Sequence, residues 1–321
     1  MTEHVTSSAH ASAAAVQRVP TFVVAGAARA GSTAVVEALR QHPQVFVTQP
    51  KEPHFFALAG RPAAFQGPGD DETINRVAVT DEDAYRALYP ERTEDLHALG
   101  EGSVSTLYYH EESVPRLLAF NPDVRVLVVL REPVARAYSS YQYLQVRGLE
   151  TEPDFLTAVA DEPRRIAEGW HHLWHYEAMS RYADALDHFS RVFGDRLGVW
   201  FYDDFEADSR ATADQMLSFI GVDPGLAPRD DVQRVNVSGR PRRAVLQDAM
   251  AWAGRRAWLR ESVKRVVPFS VRERIRSANL APNGVPDEYA SVLAPRFRDD
   301  LDRVEQVLGR PVPAGWRYTG D

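Results

Sequence analysis

The sequence predicts an α/β fold, a single domain with a central parallel sheet flanked by helices. Three observations carry this prediction. Strand–loop–helix units begin near Phe22 and near Val124, strand-like and helix-like segments alternate, and 321 residues suffice to bury one full core. We expect a disordered tail over 1–19 and one domain over 20–321, with a helical part from 244 to 321. In such folds ligands bind at the carboxyl ends of the strands.

The first strand–loop–helix unit is the clearest local signal. The apolar run Phe22–Ala25 predicts a buried strand that ends at Gly26, and Ser32 can cap a helix that Pro43 stops. Val45–Val47 then predicts a second, short strand. The loop between the first strand and its helix consists of small residues, so its backbone N–H groups can hold a phosphate.

Later segments continue the alternation. Six of the seven residues in Val124–Leu130 are apolar, so we expect this segment to be a central strand. The predicted strands are Val104–Tyr108, Val124–Leu130 and Leu197–Tyr202, and the predicted helices run from Pro133 through Leu144, from Thr212 to Ile220 and, as an amphipathic segment, from Leu293 to Leu308.

Composition excludes several classes of function. The chain is 44% hydrophobic and 26% charged, as in ordinary globular proteins, and no stretch approaches the about 18 apolar residues of a membrane span. A formal net charge of -8 argues against nucleic acid and anionic lipid, so we expect neither as a partner. The absence of cysteine excludes thiolate catalysis and suits a cytoplasmic location.

A P-loop nucleotide triphosphatase is the natural competitor for the glycine loop. Gly26 and Gly31 have the separation of that motif, but Ser32 stands where its lysine is required and the loop cation is Arg29. The strand that should end in a magnesium-binding Asp ends in Arg131. We therefore expect no metal. A nucleotide-dependent kinase and a non-catalytic nucleotide-binding module stay open as alternatives.

Two motifs resemble those of the sulfotransferases that use 3′-phosphoadenosine 5′-phosphosulfate (PAPS). The segment Arg29-Ala30-Gly31-Ser32-Thr33 resembles the family's 5′-phosphosulfate loop, with Arg in place of the usual Lys. The segment from Arg131 to Ser139 resembles its 3′-phosphate motif, a strand-end Arg and a helix Ser eight residues apart. Independently, two helical turns would let Arg131 and Ser139 converge on one phosphate.

The resemblance has direct consequences for fold and chemistry. It implies a P-loop-like fold, PAPS as cosubstrate, adenosine 3′,5′-bisphosphate as product and no metal. Tyr202 at a strand end resembles an adenine-contacting position. The stretch 236–243 resembles the loop that closes over the 3′-phosphate, and the resemblance implies that Arg240 contacts this phosphate.

A third motif resembles bacterial members and the branch related to heparan sulfate 3-O-sulfotransferases. It is Lys51-Glu52-Pro53-His54-Phe55-Phe56, preceded by Gln41-His42-Pro43. Carried over from that branch, Glu52 is the base, with His54 as an orienting or alternative basic group. Arg29 and the loop amides would then hold the sulfuryl oxygens.

The resemblance departs at one position near the sulfate. After Glu101, the sugar-modifying enzymes carry a second lysine, and Gly102 stands in its place here. We therefore do not carry over a polysaccharide substrate. The expected activity is O-sulfation of a small-molecule, sugar or natural-product acceptor. Arg and Ala richness suits bacterial secondary metabolism, and a homodimer is left open.

A histidine-rich segment also suggests a metal site. His171 and His175 have the i, i+4 spacing of ligands on one helix. The segment lacks the glutamate of the H-E-x-x-H motif, so we predict instead a helix whose aromatic and His residues pack or line the acceptor cleft.

Overall fold

The computed structural model describes most of the predicted domain. The described residues are 19–91, 95–228, 240–241, 280–281 and 284–318. The predicted tail lies outside them up to residue 18, and the predicted C-terminal helical part lies outside them over 244–279.

A five-stranded parallel sheet forms the centre of the fold, as the sequence predicts. Its spatial order is β2-β3-β1-β4-β5. The strands are β1 (Phe22–Gly26), β2 (Val45–Val47), β3 (Ala98–Gly102), β4 (Arg125–Leu130) and β5 (Leu197–Phe201). A separate antiparallel pair consists of β6 (Arg240–Pro241) and β7 (Leu280–Ala281).

Helices flank the sheet. They are α1 (Ser32–Arg40), α2 (Phe55–Leu58), α3 (Ile74–Val77), α4 (Glu82–Arg86), α5 (Ser105–Tyr108), α6 (His110–Phe120), α7 (Pro133–Val146), α8 (Phe155–Ala160), α9 (Glu162–Ala167), α10 (Ala183–Phe193), α11 (Tyr202–Ala207), α12 (Ser209–Phe219), α13 (Asp287–Leu293) and α14 (Arg298–Leu308). Short 3₁₀ turns connect several of them. Among the described residues, no helix combines the length and apolar character needed to cross a bilayer.

Burial explains why β1 and β4 are readable from sequence. Both strands have paired neighbours on each side, and β1 is buried along its whole length. Of β4, only Arg125 at its start is partly exposed. Interior parallel strands covered by helices on both faces need continuous apolar runs, which is the pattern these segments show.

The strand predicted over Val104–Tyr108 is wrong. The strand in this region is β3, and the helical turn α5 begins at Ser105. The reason is packing against β1: a Cβ atom added at Gly100 would lie 2.2 Å from the Phe22 ring. Only glycine admits that ring, so β3 lacks the β-branched side chains that would have marked it as a strand.

The strand ends bring the predicted motifs to one edge of the sheet. Val24 of β1 lies opposite Gly102 of β3, and Gly26 lies opposite Val128 of β4. Because all five strands run parallel, the segments that follow β1, β3, β4 and β5 emerge at the same side. The candidate site lies there.

Candidate functional site

The loop between β1 and α1 begins the site. Gly31 adopts φ 81° at the start of α1, a conformation that favours glycine. A Cβ atom at Gly31 would lie 2.8 Å from carbons of the Tyr202 ring, so this glycine also permits close approach of β5's end. The first N–H groups of α1 have no partners within the helix, as a phosphate-binding loop requires.

The predicted 3′-phosphate residues converge on this loop. Arg131 donates from Nη1 to the backbone oxygen of Arg29 at 3.0 Å, and its guanidinium carbon lies 5.0 Å from the centre of the Tyr202 ring. Arg29 donates from Nε to the Ser139 hydroxyl at 3.2 Å. Three segments far apart in sequence therefore meet around one loop.

The placement of Arg29 differs from the role assigned to it from sequence. Its guanidinium carbon also lies 4.5 Å from the centre of the Tyr143 ring on α7. With its Nε donating to Ser139, the side chain extends toward the predicted 3′-phosphate residues. It is thus well placed to bind phosphate, and its predicted contact with the sulfuryl group stays a prediction.

Backbone strain is concentrated in the predicted catalytic residues. Among the described residues, the non-glycine residues with positive φ are Arg29 at 66°, Glu52 at 67° and His54 at 58°. This left-handed region costs about 1 kcal/mol or more for such residues and persists where the surroundings enforce it. Strained backbone of this kind is often found at functional sites, and these three residues are the ones that the sequence motifs predict to be catalytic.

Glu52 lies beside the loop on the side opposite the 3′-phosphate residues. Its carboxylate accepts the Val104 N–H at 2.8 Å and pairs with the Lys51 ammonium. Its own N–H donates to the Gly102 carbonyl at 3.0 Å, which ties the segment to the end of β3. About a quarter of the side chain is exposed, at 24%, so an acceptor can reach it.

The charge state of Glu52 suits a base. Burial raises the pKa of Glu52, but the Lys51 charge, His54 and the Val104 N–H outweigh it, so the pKa lies below its ordinary value. The carboxylate is therefore ionised at neutral pH. This environment differs from that of a solvated surface salt bridge.

His54 is buried beside Glu52. Its Nδ1 lies 2.8 Å from the Ser105 hydroxyl, and its backbone N–H donates to Ser103 at 3.0 Å. Burial lowers the pKa of His54 to about 4. The imidazole is thus neutral at pH 7 and can orient or accept a proton. Phe55 and Phe56 are core residues.

Glu101 is a buried carboxyl that sequence reasoning did not use for chemistry. It is fully buried on β3, and its Oε2 accepts a hydrogen bond from Ser103 at 3.3 Å. Burial, assisted by the charge of Glu52, raises the pKa of Glu101 to about 8. At pH 7 it is therefore mostly neutral, and it leaves Glu52 as the charged carboxylate of the pair.

The helix predicted around His171 and His175 is wrong. The 3₁₀ turn His172–Trp174 forms there, and Asp70 accepts hydrogen bonds from the backbone N–H and the ring Nδ1 of His171 just before it. The His175 ring bonds the Tyr108 hydroxyl at 2.8 Å. In the part of the chain that the structure describes, no group of three or more His, Cys, Asp or Glu could hold a metal.

Two further arginines belong to the predicted motifs. Arg136, within the segment from Arg131 to Ser139, is fully buried and donates to Ser180 at 2.6 Å. Arg240 begins β6, and its side chain lies outside the described part of the structure, as does most of the predicted closing loop. Its contact with the 3′-phosphate stays a prediction.

Comparison with known proteins identifies the family. The model of the Sulfotransferase family matches residues 20–225 of this chain. The chain belongs to the sulfotransferase family. Both phosphate motifs and the Glu52 motif lie within the matched part. The resemblance seen in the sequence is confirmed.

The chain is similar to two named carbohydrate-modifying sulfotransferases over part of their length. The chain is 30% identical over 178 residues to human heparan sulfate glucosamine 3-O-sulfotransferase 6, covering 55% of this chain and 44% of that protein. It is 28% identical over 151 residues to rat carbohydrate sulfotransferase 15, covering 39% of this chain and 27% of that protein. The chain thus matches less than half the length of these sulfotransferases.

A bacterial sulfotransferase of known structure matches over nearly the whole length. The crystal structure of the sulfotransferase from Alicyclobacillus acidocaldarius has 27% sequence identity and a TM-score of 0.72. The match covers 93% of this chain and 99% of that one. The sulfotransferase fold therefore extends beyond the matched family segment.

Proposed function

We propose that this protein transfers the sulfuryl group of PAPS to a hydroxyl of a small-molecule, sugar or natural-product acceptor. The observation that carries the proposal is the arrangement around the 26–33 loop. Arg131, Arg29 and Ser139 lie on one side, and the ionised Glu52 lies on the other. A PAPS molecule has its 3′-phosphate and its sulfuryl group at separate ends, and this arrangement supplies a partner for each.

The reaction follows from these positions. The acceptor oxygen attacks sulfur while the bond from sulfur to the 5′-phosphate oxygen breaks, and that oxygen keeps the electron pair. Glu52 accepts the acceptor's proton. The loop N–H groups and Arg29 are the proposed partners of the phosphosulfate, so alignment and charge stabilisation carry most of the catalysis.

The nucleotide contacts divide by segment. Arg131 and Ser139 are the proposed 3′-phosphate ligands, Tyr202 the adenine contact, and residues 29–33 the 5′-phosphosulfate loop. Arg240 is the proposed closing contact. Cytoplasmic location, bacterial secondary metabolism and a homodimer stay predictions.

A PAPS-dependent screen tests the function. The protein is incubated with PAPS and a panel of sugars, phenols and hydroxylated metabolites, and mass spectrometry detects sulfated product together with adenosine 3′,5′-bisphosphate. We expect sulfated acceptor and adenosine 3′,5′-bisphosphate to form in equal amounts. With Glu52→Gln, both products should form much more slowly. Phosphorylated product from ATP would instead support the kinase alternative.

A further inference from the structure

Lys51 lies between the phosphosulfate loop and the proposed base. Its Nζ donates to the Ser32 hydroxyl at 3.3 Å and pairs with the Glu52 carboxylate. Ser32 is the first residue of α1, so the ammonium lies at the helix terminus that faces the proposed phosphosulfate. Only 16% of the Lys51 side chain is exposed, so this partly buried cation is not a simple solvated group.

Gly102 lies next to this lysine. A Cβ atom added at Gly102 would lie 3.6 Å from Cε and 3.9 Å from Cγ of Lys51, and 2.7 Å from Val36. The Val36 distance is too short for a Cβ atom, whereas the Lys51 distances are ordinary van der Waals contacts. Lys51, which follows β2, therefore lies next to the position at the end of β3 where the sugar-modifying enzymes carry their second lysine.

The other candidate cation is directed elsewhere. Arg29 extends toward Ser139 and Tyr143, on the 3′-phosphate side of the loop. Lys51 is on the Glu52 side, where sulfur must lie if Glu52 is to reach the acceptor's proton. An ammonium has three donors, so Lys51 can bind a sulfuryl oxygen while it keeps its contacts with Ser32 and Glu52.

We propose that Lys51 is a catalytic residue that binds the transferring sulfuryl oxygens and stabilises their charge in the transition state. This inference rests on the proposed sulfuryl transfer. As sulfur passes from the 5′-phosphate oxygen to the acceptor oxygen, the sulfuryl oxygens stay beside the ammonium. Lys51 transfers no proton, because Glu52 takes the acceptor's proton and the leaving phosphate keeps the electron pair.

Lys51→Met tests the proposal, since it keeps the chain length and removes the charge. We expect turnover with PAPS and the acceptor found by the screen to fall about 10²- to 10³-fold, as for loss of one charge-stabilising donor. Lys51→Arg should recover part of the loss. Arg191→Met is the matched control, because Arg191 is exposed on α10 and pairs only locally with Asp187. Equal unfolding temperatures establish that the variants are folded.

A second background separates catalysis from mere positioning of the base. In Glu52→Gln the base is already absent. If Lys51 only positions Glu52, removing its charge from this variant should not lower turnover further. We expect Lys51→Met to slow the residual turnover of Glu52→Gln about tenfold or more. A double variant no slower than Glu52→Gln overturns the proposal. A wild-type protein that sulfates no acceptor and binds no bisphosphate overturns the proposed function itself.

Discussion

The Nε atom of Arg29 lies 3.2 Å from the hydroxyl oxygen of Ser139, although 110 residues separate them in the chain. This hydrogen bond joins the proposed 5′-phosphosulfate loop to the proposed 3′-phosphate motif. Because the two segments are in direct contact, substitutions in them should affect each other.

Arg29→Ala should weaken binding of adenosine 3′,5′-bisphosphate about 10- to 100-fold, since a charge-assisted hydrogen bond contributes about 1.5–3 kcal/mol. Ser139→Ala should cost less when Arg29 is already absent, because contacting residues couple. Calorimetry on both single variants and the double variant measures this coupling. Strictly additive losses would show that the two residues act separately.

Glu52→Gln should lower kcat about 10²- to 10⁴-fold while bisphosphate affinity stays nearly unchanged, because glutamine keeps the shape but accepts no proton. His54→Asn is the matched comparison, because His54 lies beside Glu52 and is the alternative base. Steady-state kinetics and calorimetry on the same preparations give both quantities. Near-normal turnover of Glu52→Gln with an inactive His54→Asn would assign the base to His54.

Glu101→Gln should change how stability depends on pH. Because the pKa of Glu101 is raised from 4.5 to about 8, the folded protein holds a proton that the unfolded chain releases between these values. This contribution is complete below about pH 4.5 and is lost as pH rises through about 8. Glutamine mimics the neutral acid at every pH, so Tm of the variant should exceed wild type most at pH 8.

Thermal unfolding at pH 5 and pH 8 measures this effect. For a chain of this size, about 1 kcal/mol corresponds to about 2 °C in Tm. The difference between Glu101→Gln and wild type should grow with pH. The same difference at both pH values would mean that Glu101 is not a buried neutral acid.

Turnover should survive EDTA. The residue after β4 is Arg131, where magnesium-dependent phosphoryl transfer uses an Asp. Product formation measured with and without the chelator checks this. Loss restored by magnesium would favour the kinase alternative, and loss restored by zinc would favour a site near His171 and His175.

Apolar runs made β1 and β4 predictable, because a parallel strand that is covered on both faces is apolar along its length. The start of α7 was predictable because Pro133 occupies the first helical position. β3 could not be found in this way. Position 100 of β3 must be glycine because the Phe22 ring packs against it. Phe22 is 78 residues away in sequence, so the residues around Gly100 do not indicate that contact.

The site shows the same limit. The proposed phosphate residues could be predicted from motifs at strand ends, but the proposed role of Lys51 depends on its contact with Ser32 and on its position next to Gly102. Lys51 stood next to Glu52 in the motif, and only the folded arrangement distinguishes it from a surface partner. The contact between His171 and Asp70 is likewise not visible locally, because 101 residues separate them in the chain.

Calorimetry with adenosine 3′,5′-bisphosphate and with AMP tests the central claim most directly. AMP lacks the 3′-phosphate that Arg131 and Ser139 are proposed to bind. Wild type should bind the bisphosphate at least about tenfold more tightly than AMP, and Arg131→Ala should weaken bisphosphate binding about 10- to 100-fold while leaving AMP binding almost unchanged. Equal affinity of the wild-type protein for the two nucleotides would contradict the assignment of a PAPS site.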